Sequence, residues 1–295
     1  MTKKIDDGCF HIWSACDFWG DQMFNLCAAK QLSSGGDVVI HTDKLAWSGA
    51  TSQWYKINHE ILRLWSSFDF VKGIVFDLSQ KRPINEGCRN SYFNVTQALS
   101  EWGKLKSSYK HNIKDNINFD VLEKFDCEES LKNLIVNQSR KIAVFQPISI
   151  LHKSKKDIIS EYTNPWDQCI SSLINLGYEI VTIGSEKDID DTNEYYPNLL
   201  EKYPITNLMG KITMFQAIDL VINYSDFVLS CDSWSGWYGI ASRTKTAVAA
   251  GKNFRNGNEN GYVMGLGNDD IYTLDYSFEK EKCDLNLANW TQKNG

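Results

Sequence analysis

The second half of the chain alternates between apolar runs and amphipathic stretches in a way that predicts a parallel sheet. Apolar residues recur at helical spacing across residues 212–222, and the uninterrupted apolar run Phe227–Leu229 follows. A short, wholly apolar run of this kind is typical of a buried parallel strand. Further elements are predicted as strands at Ile142–Phe145, Tyr178–Ile183 and Thr246–Ala250, and as a helix at Trp166–Leu176. Strands that alternate with helices imply a parallel sheet with helices on both faces.

The first half of the chain repeats this alternation more weakly. Strand candidates lie at Phe10–Trp13, Val38–His41 and Gly73–Leu78, and helix candidates at Gln22–Leu32 and Thr51–Trp65. A stretch rich in Lys, Asp, Asn and Glu separates the two halves. We therefore predict an α/β protein of two facing Rossmann-like domains with parallel sheets, at residues 1–138 and 139–276. Residues 277–295 are predicted to form a helix that packs back on the amino-terminal domain.

The net charge and the amino terminus narrow the class of protein. A formal net charge of −6 gives no general attraction to nucleic acid or to an anionic membrane, although the lysines at 153–156 form a local basic segment. The first residues lack the apolar core of a signal peptide, and the chain has no run of about 18 apolar residues. We therefore expect a soluble, cytoplasmic protein without a transmembrane segment.

The cysteines and histidines give no sign of a metal site. Eight cysteines and five histidines are scattered along the chain without a CxxC pair. Zinc needs clustered ligands, whereas isolated cysteines usually serve as small buried apolar residues in a reducing compartment. No metal is predicted.

The polar turn after the run Phe227–Leu229 is the best candidate for a binding site. Its residues are Asp232, Ser233, Trp234, Ser235 and Gly236. A strand that ends in small polar residues and leads into a helix leaves backbone N–H groups free to bind a phosphate. Open α/β sheets bind ligands at this carboxyl edge, so the turn indicates a nucleotide-type ligand. The alternative is an ordinary helix start capped by one of the serines, which explains less well why tryptophans surround them.

Four short motifs occur in the order in which one known family carries them. They are Phe145-Gln146-Pro147, Ile183-Gly184-Ser185, Leu208-Met209-Gly210-Lys211 and Asp232-Ser233. In this order they resemble the carboxyl-terminal half of a glycosyltransferase of the GT-B fold, and they are most similar to the heptosyltransferase family, glycosyltransferase family 9. The amino-terminal half adds the pair Gly20-Asp21 before a predicted helix, which resembles a pair at the first helix of that family.

The resemblance implies a fold, a reaction and a role for each domain. The fold is GT-B, with a nucleotide-sugar donor on residues 139–276 and the acceptor on residues 1–138. The reaction moves the sugar to an acceptor hydroxyl, with inversion and with no metal or other cofactor. The chain departs from the family at Trp234 and Trp237, where the family has Gly and His. The resemblance therefore indicates a nucleotide sugar without specifying a heptose.

The resemblance also implies which residues contact the donor. The polar turn would bind the diphosphate, and a lysine of the loop after the first strand of this domain would neutralise the leaving diphosphate. Gly184 and Ser185 would let the backbone approach the nucleoside, and Glu186 would contact the ribose. Met209 and Lys211 would flank the base. The implied donor-binding residues are Gln146, Ser149, Lys153, Lys155, Gly184, Ser185, Glu186, Met209, Lys211, Asp232, Ser233, Trp234, Ser235 and Gly236. For the lysines, the alternative is a solvated loop.

Asp21 has two interpretations. The resemblance implies a general base that takes the proton of the acceptor hydroxyl as its oxygen attacks the anomeric carbon. An aspartate before a helix is also a favoured N-cap, and a carboxylate held by N–H groups is a weaker base. Trp19 and Gly20 are expected to contact the acceptor. Of the ten tryptophans, Trp19 and Trp234 are candidates for stacking on a sugar, and core packing is expected of most others.

The resemblance thus predicts a nucleotide-sugar-dependent glycosyltransferase and leaves its acceptor open. The acceptor classes are a glycan, a protein side chain and a hydroxymethylated pyrimidine of phage DNA, and the acidic net charge argues mildly against DNA. One alternative is a nucleotide- or sugar-binding protein without transferase activity, in which Asp21 is only a cap. Another is a GT-B epimerase, which would form its product without an acceptor. The oligomeric state also stays open.

Overall fold

The structure is a computed structural model that covers most of the second half of the chain and parts of the first. It describes residues 8–14, 36–42, 60–76, 91–93, 113–122, 141–148, 166–231, 233–249 and 271–274, and positions 19, 20, 23, 26, 29, 30, 33 and 124. The chain divides into two compact units, with the main boundary between residues 123 and 124. The domain limit predicted at residue 138 and the tail helix at 277–295 lie outside the described residues and stay predictions.

The first unit is built on a parallel sheet. Its strands are β1 (Phe10–Ser14), β2 (Val38–Thr42), β3 (Val71–Phe76) and β4 (Ser91–Phe93). They lie in the order β3-β2-β1-β4, and every pair is parallel. The three strands predicted in this half are confirmed within a few residues, whereas β4 has only three residues and gave no local signal. Residues 60–66 and the described positions between 19 and 30 are helical.

Strands β1 and β2 bring two buried histidines into contact. Nδ1 of His11 lies 2.8 Å from Nε2 of His41, and both side chains are buried. One ring nitrogen donates and the other accepts, so the two imidazoles satisfy each other inside the sheet. The sequence separates these residues by 30 positions, and parallel pairing of the strands makes them neighbours.

The second unit is built on a larger parallel sheet. Its strands are β5 (Lys141–Gln146), β6 (Tyr178–Thr182), β7 (Ile205–Asn207), β8 (Phe227–Cys231), β9 (Lys245–Ala249) and β10 (Ile271–Leu274). They lie in the order β10-β9-β8-β5-β6-β7, and every neighbouring pair is parallel. The four strands predicted here are confirmed. The short strands β7 and β10 were not predicted, and both lie at edges of the sheet.

Helices connect these strands. They are α1 (Trp166–Asn175), α2 (Lys187–Tyr195), α3 (Leu199–Lys202), α4 (Met214–Asp219), a π-helical turn (Leu220–Tyr224) and α5 (Trp234–Ala241). Helix α4 begins with a capping box, because Thr213 Oγ1 accepts from the backbone N–H of Gln216 and Gln216 Oε1 accepts from the N–H of Thr213. This reciprocal pair satisfies two N–H groups that a helix start otherwise leaves open.

The acidic segment around Asp188 is helical. Its polar composition by itself indicates an exposed loop, and that interpretation is wrong. The segment forms α2, in which acidic residues in the first turn complement the positive end of the helix dipole. Thr192 is fully buried and donates its hydroxyl proton to the carbonyl of Asp188. The helix has almost no apolar stripe, which is why periodicity alone does not reveal it.

The two faces of the second sheet carry different contacts. Ala143 and Phe145 belong to the hydrophobic cluster under α1, where the ring of Phe145 meets Trp166 edge-on at 5.1 Å. Successive strand residues point to opposite faces. Gln146 therefore lies on the other face, together with Ser230, its register partner on β8. On that face α5 packs against β8 and β9, and the π-helical turn contacts β5.

Candidate functional site

The order of the strands creates a switch point between β5 and β8. From β5 the chain proceeds to β6 and β7 on one side of the sheet, and then crosses to β8 and β9 on the other. The segments after β5 and β8 therefore leave the sheet in opposite directions and open a crevice at its carboxyl edge. Gln146 and Ser230 lie side by side at this edge. The edge at which sheets of this order usually bind ligands thus coincides with the predicted motifs at Gln146 and after β8.

Helix α5 begins directly beyond β8 at this switch point. Ser233 is its N-cap residue and has an extended backbone, with φ −146° and ψ 175°, and its side chain makes no capping hydrogen bond. Trp234 occupies the first helical position, where it is partly exposed and packs edge-on against Tyr238. A helix start whose N-cap side chain leaves the first N–H groups uncapped is suited to an anion.

A pair of buried serines ties the first turn of α5 to β8. Ser230 donates its hydroxyl proton to the carbonyl of Cys231 at 2.6 Å, and its Oγ lies 2.7 Å from Oγ of Ser235. Because the proton of Ser230 is already used, Ser235 is the donor of the second bond. Both side chains are fully buried. Ser235 thus positions the helix start, and its hydroxyl is occupied by protein in this structure.

Two glycines let α5 approach the sheet closely. A Cβ at Gly236 would meet Val248 at 3.0 Å, and one at Gly239 would meet Thr246 at 2.6 Å and Val228 at 2.9 Å. The missing side chains therefore set the distance between helix and sheet. Gly236, which the sequence analysis assigned to the donor, has this packing role at the helix start. Gly239 was not predicted to have this role. The signal that could have revealed it is its spacing of three residues from Gly236, which places both glycines on one face of the helix.

The side chain of Gln146 is buried at the carboxyl end of β5, next to Ser230, whose hydroxyl is bonded to Ser235 of α5. It is 4% exposed, its Nε2 donates to the carbonyl of Ile148 over 3.4 Å, and its Oε1 has no partner among the described residues. Buried polar atoms are nearly always paired, so this oxygen marks a position that the protein itself does not fill.

The loops after β6 and β7 are packed against each other, which brings together donor residues predicted from distant parts of the sequence. The N–H of Gly210 donates to the carbonyl of Gly184 at 3.0 Å. A Cβ at Gly210 would lie 2.8 Å from the Cβ of Glu186 and 2.9 Å from its Cα. Gly210 has φ +71°, in the left-handed region that favours glycine. Ser185, Glu186 and Lys211 are exposed in this double loop.

The carboxylate of Asp188 takes up one of the hydrogen-bonding groups of the loop after β6. Its Oδ2 accepts a hydrogen bond from the backbone N–H of Ser185 at 2.7 Å, and a Cβ at Gly184 would lie 2.9 Å from the same oxygen. The N–H of Ser185 is therefore already satisfied. The side chains of Ser185 and Glu186 are exposed beside it.

Asn207 fixes the second of these loops and was missed by the sequence analysis. Its Oδ1 accepts from Thr182 Oγ1 and from the backbone N–H of Met209, both at 3.0 Å. These bonds join the carboxyl ends of β6 and β7. Met209 itself is 1% exposed, so its side chain contacts protein in this structure. The only local signal for this role is a polar residue between Ile205-Thr206 and the motif that begins at Leu208.

Several predicted site residues have no described environment. Asp21, Ser149, Lys153, Lys155 and Asp232 lie outside the described residues, and their roles stay predictions. Trp19 and Gly20 are helical residues of the first unit, with Trp19 partly exposed and Gly20 buried.

Neither a cluster of metal ligands nor a membrane-spanning helix occurs among the described residues. Within the described part of the chain, no group of three or more His, Cys, Asp or Glu side chains could hold a metal ion. In the same residues, no helix has both the length and the apolar character needed to cross a bilayer.

The parallel sheets, the switch point and the helix start define a doubly wound α/β protein. The fold matches a solved glycosyltransferase of family 9 from Veillonella parvula, with a TM-score of 0.53 and 10% sequence identity over 99% of this chain and 91% of that one. The GT-B fold class and the resemblance to family 9 inferred from the motifs are thereby confirmed at the level of the fold.

Two further solved structures, both from E. coli, are similar at lower TM-scores. One is ADP-heptose lipopolysaccharide heptosyltransferase II, with a TM-score of 0.47, 12% identity and coverage of 97% of this chain and 100% of that chain. The other is the heptosyltransferase WaaC with ADP, with a TM-score of 0.49, 11% identity and coverage of 96% and 98%. No protein-family model and no curated protein matches the chain.

Proposed function

We propose that the protein is a nucleotide-sugar-dependent glycosyltransferase that moves a sugar to an acceptor hydroxyl. The observation that carries this proposal is the start of α5 at the switch point of the second sheet, where the N-cap residue Ser233 makes no side-chain capping bond. This is the position at which open α/β sheets bind phosphorylated ligands. The fold shared with a family 9 glycosyltransferase supports the same class of reaction.

In the proposed donor complex, the first N–H groups of α5 bind the diphosphate. The double loop around Gly184 and Gly210 lies beyond β6 and β7 on the same carboxyl edge. Its exposed residues Ser185, Glu186 and Lys211 supply hydrogen-bonding groups for the nucleoside. In this arrangement the diphosphate lies beside β8 and the nucleoside extends toward β6 and β7. The donor then contacts both the start of α5 and the double loop.

The proposed chemistry is a direct displacement. Asp21 takes the proton of the acceptor hydroxyl as its oxygen attacks the anomeric carbon, and the bond to the diphosphate breaks in the same step. The helix dipole of α5, together with Lys153 or Lys155, stabilises the negative charge of the leaving diphosphate. Attack opposite to the leaving group inverts the anomeric centre, and the cationic groups make a metal unnecessary.

The donor site is tested by ligand-induced stabilisation. The unfolding temperature of the purified protein is measured with UDP-, ADP- and GDP-sugars, with the matching diphosphates and with inorganic phosphate as control. A ligand present at 100 times its Kd adds about 2.7 kcal/mol to the free energy of unfolding, which is an easily measured shift. Stabilisation by one nucleotide class identifies the donor. Absence of a shift with every nucleotide would contradict the proposal.

Turnover then separates a transferase from the alternatives. With the donor identified, transfer is measured to oligosaccharide, peptide and hydroxymethylpyrimidine DNA acceptors, and Asp21→Asn is compared with the unaltered protein. We expect the variant to bind donor normally and to lose about 10²–10⁴-fold in transfer rate. Binding without any turnover would identify a binding protein, and conversion of the donor without acceptor would identify an epimerase.

A further inference from the structure

Gln146 carries a hydrogen-bonding atom that the protein leaves unsatisfied. The residue is 4% exposed, and Oε1 has no hydrogen-bond partner in the part of the chain that the structure describes. A buried carbonyl oxygen that has lost its water and gained no donor lowers stability. An atom of this kind contributes little to folding. Its presence therefore points to a hydrogen-bond donor that a ligand supplies.

The orientation of the amide is set by its neighbour. Nε2 donates to the carbonyl oxygen of Ile148 at 3.4 Å. Turning the amide over would place Oε1 against that carbonyl, so two acceptors would face each other. The unsatisfied atom is therefore an acceptor, and its missing partner is an O–H or N–H group.

The neighbouring hydroxyls cannot supply this proton. Ser230 is the register partner of Gln146, and it donates to the carbonyl of Cys231. The bond between Ser230 and Ser235 then uses the proton of Ser235. Each hydroxyl has a single proton, and both are committed within β8 and α5. The acceptor of Gln146 thus stays open, one strand position from the serine that is bonded to the first turn of α5.

We propose that Gln146 Oε1 accepts a hydrogen bond from a hydroxyl group of the nucleotide sugar and makes the site selective for ligands that carry this hydroxyl. The inference rests on the proposed function and deepens it. An ionised phosphate oxygen is itself an acceptor and cannot bind Oε1, whereas the N–H groups of α5 suit it. Adjacent donors and an adjacent acceptor match a diphosphate that is joined to a hydroxylated sugar.

The test replaces Gln146 by an apolar residue of similar size. Dissociation constants for the nucleoside diphosphate and its nucleotide sugar, identified as above, are measured by calorimetry for the unaltered protein and for Gln146→Leu. Gln146→Met serves as a second, unbranched variant if the first packs poorly. We expect affinity to fall about tenfold or more. The unfolding midpoint without ligand should change little, because removal of the unsatisfied oxygen offsets loss of the long bond from Nε2 to the carbonyl of Ile148.

Ser242→Ala provides the matched control on the same helix. Ser242 is buried just after α5, at the end opposite to the proposed site. Its hydroxyl is fully paired, donating to the carbonyl of Gly239 at 3.0 Å and lying 2.9 Å from Thr244 Oγ1. Removing a satisfied hydroxyl should lower the unfolding midpoint and leave both dissociation constants unchanged.

The outcomes separate this inference from the proposed function. Weaker binding of both ligands places the hydroxyl on the nucleoside, and weaker binding of the nucleotide sugar alone places it on the transferred sugar; either result supports the inference. Unchanged affinity for both ligands would overturn it, whatever the midpoint, since Oε1 would then make no bond to the nucleotide sugar. If the unaltered protein binds no nucleotide, the proposed function fails as well.

Discussion

At the residue scale, Gly210 lets the loops after β6 and β7 pack together because it has no side chain. Its left-handed backbone and its contact with the backbone of Glu186 are separate constraints, because the first disfavours any Cβ and the second leaves no space for one. Gly177 is left-handed as well, with φ +84°, but nothing lies within 4 Å of a Cβ built there. Comparing substitutions at these two glycines therefore distinguishes the cost of the left-handed backbone from the cost of the steric contact.

Gly210→Ala should destabilise the protein more than Gly177→Ala. The left-handed backbone costs an L-residue about 1–2 kcal/mol in both variants. The clash with Glu186 adds about 1–3 kcal/mol in the first variant only. Denaturant unfolding measures both free energies, and donor affinity should fall only for Gly210→Ala because the double loop must separate. Equal losses of stability would show that the loops relax without cost.

Two buried tyrosines bear on stability in alkaline solution. Burial raises the pKa of Tyr196, and burial followed by the charge of Asp226 raises the pKa of Tyr178. The unfolded chain releases these protons near pH 10, the ordinary value, while the folded protein retains them. The contribution of each tyrosine is therefore complete below about pH 10 and is lost as the pH rises above it.

Tyr196→Phe should flatten the decline of stability above pH 10. The midpoint of denaturant unfolding is measured between about pH 8 and pH 11 for the unaltered protein, Tyr178→Phe and Tyr196→Phe. Each variant should lose less between the two ends of the range than the unaltered protein loses. A variant curve parallel to that of the unaltered protein would mean that its tyrosine ionises alike in both states.

At the scale of elements, helix α5 is placed by its contact with β8 and β9. Gly239 faces Val228 and Thr246, and Gly236 faces Val248. The Ser230–Ser235 bond fixes the first turn on the same strands. Packing along the whole helix therefore sets the direction of the N–H groups at its start. A substitution in the middle of the helix is expected to shift that start.

Gly239→Ala tests this coupling between packing and site. In an open helix, replacing Gly by Ala stabilises by about 1 kcal/mol. At this position the new Cβ would lie 2.6 Å from Thr246 Oγ1, so we expect a net loss of about 1–3 kcal/mol and weaker nucleotide binding. Chemical unfolding and calorimetry check both effects. Pairing the change with Thr246→Ala should recover part of the stability, and a stabilised single variant would refute the close contact.

At the scale of the whole molecule, the chain consists of two compact units, each with a parallel sheet. The proposed donor features described above all belong to the second unit. The predicted acceptor residues Trp19 and Gly20 belong to the first. The proposed donor and acceptor residues thus belong to different units, and the turnover experiment with Asp21→Asn tests the role proposed for the first unit.

Local sequence accounts for the long, apolar elements of the fold. The run Phe227–Leu229 is a strand because all its side chains are buried, and an uninterrupted apolar run carries that information by itself. The edge strand β7 has three half-buried residues, and α2 has an acidic first turn and little apolar surface. Neither has a periodic pattern strong enough to predict it, since contacts with other elements stabilise them.

The amino-acid sequence by itself determined the alternation of strands and helices, the family resemblance and the polar turn after β8, because each is written in consecutive residues. Only the tertiary structure decided which of these residues meet. The crossover that places β8 beside β5 makes Gln146 a neighbour of Ser230, and the pairing of β6 with β7 brings Gly184 against Gly210. Such neighbours depend on strand order, which long-range packing selects and no local pattern records.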